Sequence, residues 1–133
     1  LLSQTKVLNY IDQNYSMLHK EITTDAAIKI LQKNKTTEGY FVDNDKNHLG
    51  KINLINLINS KSKKAFLLRE KKYITLSPND NILDTIEKLS NFVGESIPVV
   101  DSYNNTMLGI ISENDILDAY IKLSNQIKNI EKK

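Results

Sequence analysis

The sequence predicts an α+β fold made of two pseudo-symmetric β-α-β-β-α repeats, and three observations predict it. First, the chain repeats itself: Ile28 and Leu31 in AAIKILQKNK recur 58 residues on as Ile86 and Leu89 in LDTIEKLSNF, and Val42-Asp43 recurs as Val100-Asp101 at the same separation. Gly50 in LGKINLINLI then recurs as Gly109 in LGIISENDIL at 59, the extra residue falling in the turn DSYNNTM. Second, each copy carries apolar residues three and four apart, the period of a half-buried helix. Third, that segment is followed in each copy by two short β-branched or aromatic runs flanking an Asn/Asp-rich turn, the pattern of a hairpin. Neither copy alone can bury both helices and its sheet, so the two are expected to pack on one another.

Taken in order, residues 1–14 place Leu1, Leu8 and Ile11 at helical spacing and predict a lead-in helix. It either follows a membrane segment or braces the repeats. Repeat one spans 15–60. SMLHKE is its opening extended segment, the polar EITTD starts a helix over 24–35, YFVD and HLGKI form the hairpin, and a second helix follows Gly50. The connector over 61–72, lysine-rich and then apolar at AFLL, reads as linker plus a short helical turn. Its Lys61, Lys63 and Lys64 are either a solvated run or a contact for a phosphate or an anionic lipid surface. Repeat two spans 73–124: KYITLS, a helix over 82–92 begun by LSPND, IPVVD, MLGII and a last helix. That helix extends through 125–133, because Ile116, Tyr120, Leu123, Ile127 and Ile130 form a stripe at steps of three and four. Beyond Ser124 two readings stand, core packing or contact with a partner.

Bulk composition narrows the function. The 133 residues suit one domain or two small halves, and 40% apolar content supports a packed core. With 18 basic and 16 acidic side chains interspersed, there is no broad positive field for a nucleic-acid backbone. The absence of cysteine excludes a disulfide framework and thiolate metal sites, and suits a reducing cytosol. No apolar run reaches the roughly 20 residues that span a bilayer, and the N-terminus lacks signal-peptide order. Opening on Leu1 and Leu2 without methionine, the sequence reads as a piece of a longer polypeptide. His19 and His48 lack ligand spacing, so no metal site is expected, and Asp43, Asp45, Asp101 and Glu113 read as turn and helix-start acceptors. Without a nucleophile-base pairing or a glycine-rich phosphate loop, catalysis is not expected.

The stretch GIISENDILDAY, residues 109–120, has a local reading. Ser112 is an N-cap, Asp115 three residues on completes a capping box, and Ile116, Leu117 and Tyr120 begin the apolar face. Set beside the repeat, it has another. Two β-α-β-β-α units, each with a PVVD-like strand and a G-h-h-S-x-x-D-h strand-to-helix turn, resemble a tandem pair of cystathionine β-synthase (CBS) domains, arranged as a Bateman-type module, over nearly all of residues 15–124. The match is strongest in SIPVVDSYNNTMLGIISENDIL. Repeat one departs from it: Phe41 stands at the usual proline, and Asn53 and Asn56 stand at the places of Ser112 and Asp115. The ending GIISENDILDAY is similar to the cytoplasmic C-terminal region of chloride channels and transporters of the ClC family.

The resemblance implies a regulatory module that binds AMP, ADP, ATP or adenosine in clefts between the repeats and forms a homodimer. It also implies a transmembrane part of the same polypeptide and a place on the cytoplasmic face of the inner membrane. Asp115 would accept two hydrogen bonds from a ribose diol, with Ser112 at the cap and the helix dipole favouring a phosphate. The base would meet Tyr15, Ser16 and the segment Thr36, Thr37, Glu38, Gly39 and Tyr40. No aromatic stands at the usual stacking position, and the Glu38 carboxylate is expected to repel phosphates, which favours a nucleoside or monophosphate. A second, degenerate cleft would use Asn53, Asn56 and residues 73–75 and 94–97, including Thr75, Ser96 and Ile97. Amide-for-carboxylate replacement weakens its ribose bonds by roughly 1 kcal/mol each. The alternatives are a structural dimerisation module without ligand, or the regulatory CBS pair of another transporter or an enzyme.

Overall fold

The computed structural model describes residues 5–89 and 95–131, with side chains described to residue 129. Its chain divides into two compact units, one of residues 14–73 with 100–107, the other of residues 1–13, 74–99 and 108–133. The elements are β1 (Met17–Leu18), α1 (Thr24–Asn34), β2 (Glu38–Val42), β3 (His48–Asn53), α2 (Leu54–Ile58), α3 (Ile82–Lys88), β4 (Ser96–Val100), β5 (Met107–Ser112) and α4 (Glu113–Glu131). Single 3-10 turns lie at Val7–Tyr10 and Ala65–Leu68, the second where AFLL predicts a short helical turn.

In the first unit the sheet runs β1-β2-β3. β1 is parallel to β2, pairing Met17 with Tyr40 and Leu18 with Phe41, and β2 is antiparallel to β3, pairing Glu38 with Asn53 and Tyr40 with Lys51. Helix α1 starts where Thr23 Oγ1 accepts from Ala26 N–H at 3.1 Å. It stops where Lys35 takes the left-handed conformation, φ 55°, and donates its N–H to Gln32 O. The helix buries Ala27 and Leu31 against Leu18, Phe41, Ile52, Leu57 and Ala65. The turn after β2 is tied by Asp43, whose carboxylate accepts from Asp45 N–H, Asn47 N–H and Asn47 Nδ2 at 2.9, 2.8 and 3.0 Å. Asp101 holds the corresponding turn by accepting from Tyr103 N–H at 2.9 Å. Both acids do what short acceptors at turns are expected to do.

The second unit has β4 and β5 as a two-stranded sheet, with Leu76 bridged in parallel to Val99 where the sequence predicts a full opening strand. Its core is Val7, Leu76, Ile82, Ile97, Val99, Ile111 and Ile116. Helix α3 is capped by Asn81, which accepts from Asp84 N–H at 2.7 Å, 58 residues after the Thr23 cap. The helix expected over 82–92 is seen to Lys88, and 90–94 lie outside the described residues. The lead-in helix expected over 1–14 is replaced, among the described residues, by one 3-10 turn and an extended segment. Asp12 N–H donates to Ile110 O at 2.8 Å and Ile110 N–H returns a bond to Asp12 O at 2.9 Å. Helical spacing misleads here because Val7, not Leu8, is the buried residue: Val7 is fully buried and Leu8 is 53% exposed. Leu1 lies outside the described residues.

The strip from Asp12 to Ile110 crosses Gly109. A Cβ at Gly109 would lie 2.6 Å from Asp12 O and closer still to Ile11, and its φ is +157°. The repeated glycine is therefore a place where backbone passes over backbone. Helix α4 buries Ile116 and Ala119, half-buries Leu123 and Ile127, and leaves Tyr120 41% exposed; the Ile130 side chain lies outside the described residues. Among the described residues no helix is long and apolar enough to cross a membrane.

Candidate functional site

Within the unit of residues 14–73, a cavity of about 320 Å³ is lined by Asn14, Tyr15, Ser16, Asn34 and Thr36. Two local structures make it. The left-handed cap at Lys35 turns the chain so that Thr36 N–H donates to Leu31 O at 3.0 Å, which brings Asn34 and Thr36 back beside the segment leading into β1. On the other wall, Ser16 O accepts from Tyr40 N–H at 2.9 Å and fixes Ser16 against the sheet. Three side chains then form a small polar network. Asn34 Nδ2 donates to Ser16 Oγ at 3.0 Å, and Ser16 Oγ shares a proton with Thr36 Oγ1 at 2.7 Å. Ser16 is 1% exposed, so these bonds satisfy a hydroxyl that burial would otherwise penalise.

Tyr15 is half-buried beside this network and meets Tyr40 edge-to-face, ring centroids 5.8 Å apart at 89°. Burial raises the Tyr15 phenol above its ordinary pKa of 10.0, which keeps it protonated as a hydrogen-bond donor. No lining side chain carries a formal charge. The cavity therefore offers an aromatic wall, hydroxyls and carboxamides: the means to read a neutral heteroaromatic edge, with no cation in its lining for a phosphate.

Of the sequence-derived site residues, Tyr15, Ser16 and Thr36 line this cavity. Thr37 is exposed, and its carbonyl accepts from Leu54 N–H at 2.8 Å. Glu38 is not the free anion expected. It is 6% exposed, and its carboxylate pairs at 3.0 Å with Lys51 Nζ, itself 2% exposed. The reason is register: Tyr40 pairs with Lys51, so the lysine reaches along β2 to Glu38 on the same sheet face. The predicted repulsion of phosphates by Glu38 is therefore corrected. Gly39 is buried, and a Cβ there would meet Leu18 Cδ1 at 2.9 Å; Tyr40 is 1% exposed with Lys51 Nζ 5.9 Å from its ring centroid.

In the other unit, Ser112 Oγ accepts from Asp115 N–H at 3.0 Å, so Ser112 caps α4 and Asp115 is exposed on its first turn. The equivalent pair in the first unit has the same geometry. Asn53 Oδ1 accepts from Asn56 N–H at 2.8 Å, while Asn53 Nδ2 donates to Glu70 Oε1 at 3.1 Å. For the degenerate cleft, Thr75 is exposed, whereas Ser96 and Ile97 are 4% and 0% exposed; Gly94 lies outside the described residues.

A wider groove of about 530 Å³ runs past Thr23, Thr24, Asp25, Lys61 and Lys63, both lysines being exposed. His48 Nε2 bonds to Tyr73 Oη at 2.6 Å, and burial lowers the imidazole below its ordinary pKa of 6.5. Among the described residues no cluster of His, Cys, Asp and Glu could hold a metal ion. Sequence reasoning passed over Asn14 and Asn34. Asn34 is the last residue of α1, ahead of a cap that is a lysine, not a glycine, so the sequence held no turn signal to place it.

Comparison with known proteins agrees with the fold. Residues 68–122 match the CBS domain family model. A CBS domain pair/ACT domain protein from Thermotoga maritima is 21% identical, with 90% of this chain and 98% of that one covered at a TM-score of 0.78. The cystathionine β-synthase pair domain of a protein described as a Mg2+ transporter, from Shewanella oneidensis MR-1, is 16% identical over 92% and 73% at 0.81. CBSX2, an Arabidopsis thaliana protein, in complex with AMP is 16% identical over 90% and 98% at 0.79. No curated protein sequence matches. At these identities the likeness establishes a shared fold, that of a CBS domain pair.

Proposed function

We propose that this chain, whose fold is that of a CBS domain pair, is a regulatory module that senses an adenine nucleoside or nucleotide. The observation that carries the reading is the cavity of Asn14, Tyr15, Ser16, Asn34 and Thr36, which supplies an aromatic wall and neutral hydrogen-bonding groups suited to a base. A protein of like fold, CBSX2, was solved with AMP. In this proposal Ser16 and Thr36 meet the base, and Thr37, Glu38, Gly39 and Tyr40 hold the wall behind it. The family resemblance assigns the ribose diol to Asp115, which is exposed on the first turn of α4 that Ser112 caps. Asn53 and Asn56 form the degenerate counterpart. A ligand acts by binding one arrangement of the module more tightly than another, which shifts their populations by that difference in affinity.

The host in this proposal is an ion channel or transporter with the module on its cytoplasmic side. GIISENDILDAY supports a chloride channel or transporter, while the Shewanella protein of like fold is described as a Mg2+ transporter. Calorimetric titration with adenosine, AMP, ADP and ATP tests the sensing claim. Saturable binding of at least one supports it, and silence with all four defeats it. Asp115→Ala should weaken binding at least about tenfold while leaving the melting temperature within a degree or two. Unchanged affinity would remove Asp115 from the site.

A second reading has its own observation. Leu117, Tyr120 and Ile121 on α4 are 42%, 41% and 54% exposed, and Ile55 and Ile58 on α2 are 68% and 57% exposed. Apolar side chains left open on helices suit a homodimer. Sedimentation across a concentration series distinguishes the roles: a tight dimer with no ligand-induced change in melting describes a purely structural module.

A further inference from the structure

Positive charge is unevenly placed along the chain. Of its 18 basic and 16 acidic side chains, residues 61–72 hold six basic and one acidic, which leaves twelve and fifteen elsewhere. The single acid there, Glu70, is half-buried and accepts from Asn53 Nδ2 at 3.1 Å. The connector is also fixed in place. Thr24 Oγ1 donates to Ser62 O at 2.7 Å, Thr24 N–H to Lys63 O at 3.0 Å and Ala65 N–H to Ile22 O at 3.3 Å. Residues 62–65 therefore lie antiparallel to residues 22–24, with Ala65 fully buried as the anchor. Lys61, Lys63 and Lys64 are left exposed, and among the described residues no ion pair engages them. Past the anchor, Phe66 gathers two more cations over its ring, Arg69 at 3.9 Å and Lys20 at 5.4 Å. Exposed apolar side chains stand among these charges. Ile58, which shares a groove with Lys61 and Lys63, is 57% exposed, and Leu67, one turn after Lys64, is 68% exposed.

We infer that Lys20, Ile58, Lys61, Lys63, Lys64 and Leu67 form a docking strip for an anionic phospholipid surface. The cations follow the chain from Lys61 to the Phe66 ring, more positions than one free phosphate can meet, whereas a plane of headgroup phosphates meets them all. A soluble anion gains nothing from Ile58 and Leu67. A bilayer interface takes such side chains between its headgroups while lysines stay at the level of the phosphates. Nucleic acid fits less well, because the strip's aromatic ring, Phe66, is packed edge-to-face on Phe41 and covered by Arg69 and Lys20, which leaves no open face for a base. The exposed acids Glu21 and Asp25 border the strip and are outnumbered by its cations. Since the bonds to Thr24 and Ile22 already order the connector, docking freezes little backbone that was free. The strip shares no lining residue with the cavity beside Tyr15, so vesicle binding can fail while nucleoside binding holds.

The test is co-sedimentation of the chain with vesicles of phosphatidylcholine alone and of phosphatidylcholine with about a third phosphatidylglycerol. The chain should partition onto the anionic vesicles at least about thirtyfold more strongly than onto the neutral ones, and should be released as salt rises toward about 0.5 M. Each lysine near an anionic surface contributes about fivefold, so Lys61→Gln, Lys63→Gln and Lys64→Gln together should lower that partition at least about tenfold. The same loss of charge at exposed lysines elsewhere, Lys29→Gln, Lys33→Gln and Lys122→Gln, should change it by less than about threefold. Circular dichroism melting of both triple variants confirms that the fold is intact. Equal partition onto the two kinds of vesicle, or equal losses in the two triple variants, overturns the inference. So does saturable, Lys61- and Lys63-dependent binding of inorganic phosphate by a chain that ignores anionic vesicles, which would assign these lysines to a soluble anion.

Discussion

Two glycines at equivalent places in the repeat separate two kinds of necessity. At Gly109 a methyl group would meet the carbonyl of Asp12 and the side chain of Ile11, in a backbone conformation that other residues rarely adopt. At Gly50 it would meet Arg69 Cδ at 2.8 Å, a flexible chain that can swing away, although Arg69 also lies 3.9 Å over the Phe66 ring. Gly109→Ala should therefore lower stability by about 2–4 kcal/mol and Gly50→Ala by no more than about 1 kcal/mol, read from urea midpoints. Equal losses would mean that the Asp12 strip is not held over Gly109. His48 makes a prediction in pH. In the unfolded chain its imidazole titrates near 6.5, whereas burial lowers that value in the fold. Below 6.5 the unfolded state takes up a proton that the folded state resists, so stability and melting temperature should fall as pH is lowered from 7.5 to 5.5. Asp43, held below 3.8 first by the side-chain bond from Asn47, titrates outside that window. His48→Gln should flatten the dependence, and an undiminished slope in that variant would assign it elsewhere.

At the scale of elements, the feature most worth breaking is the Glu38–Lys51 pair across β2 and β3. Both side chains are almost wholly buried and 3.0 Å apart. Lys51→Met would leave a buried carboxylate without its cation and should cost about 3–5 kcal/mol. Adding Glu38→Gln should recover much of that loss, because the uncompensated charge is gone. Additive losses in the double variant would show the two groups to be independent. This pair also marks how far the sequence could be read. The 58-residue repeat, the caps at Thr23 and Asn81 and the Ser112 cap follow from local patterns that local geometry then obeys. Glu38 read as a carboxylate that repels phosphates because nothing local says that a lysine thirteen positions on shares its sheet face; that depends on strand register. The lead-in helix is not formed over the described residues 5–14 for a related reason. Their apolar spacing suits a helix, yet pairing with Ile110 offers the Asp12 backbone two hydrogen bonds that a short isolated helix could not match.

At the scale of the whole molecule, the CBS-pair pattern was legible because a duplicated motif shows itself twice. The composition of the candidate cavity was not. Ser16 and Thr36 were reached through family pattern, while Asn34 enters only through a left-handed cap at Lys35, a conformation carried by an unexpected residue type. The regulatory proposal assigns the energy of signalling to a difference in ligand affinity between arrangements of the module, so the place where ligand is held decides whether the account stands. The most direct measurement is a crystal structure of this chain grown with AMP. The account predicts adenine density in the cavity lined by Tyr15, Ser16, Asn34 and Thr36. Density confined to the groove beside Lys61 and Lys63, or none at saturating AMP, would contradict it.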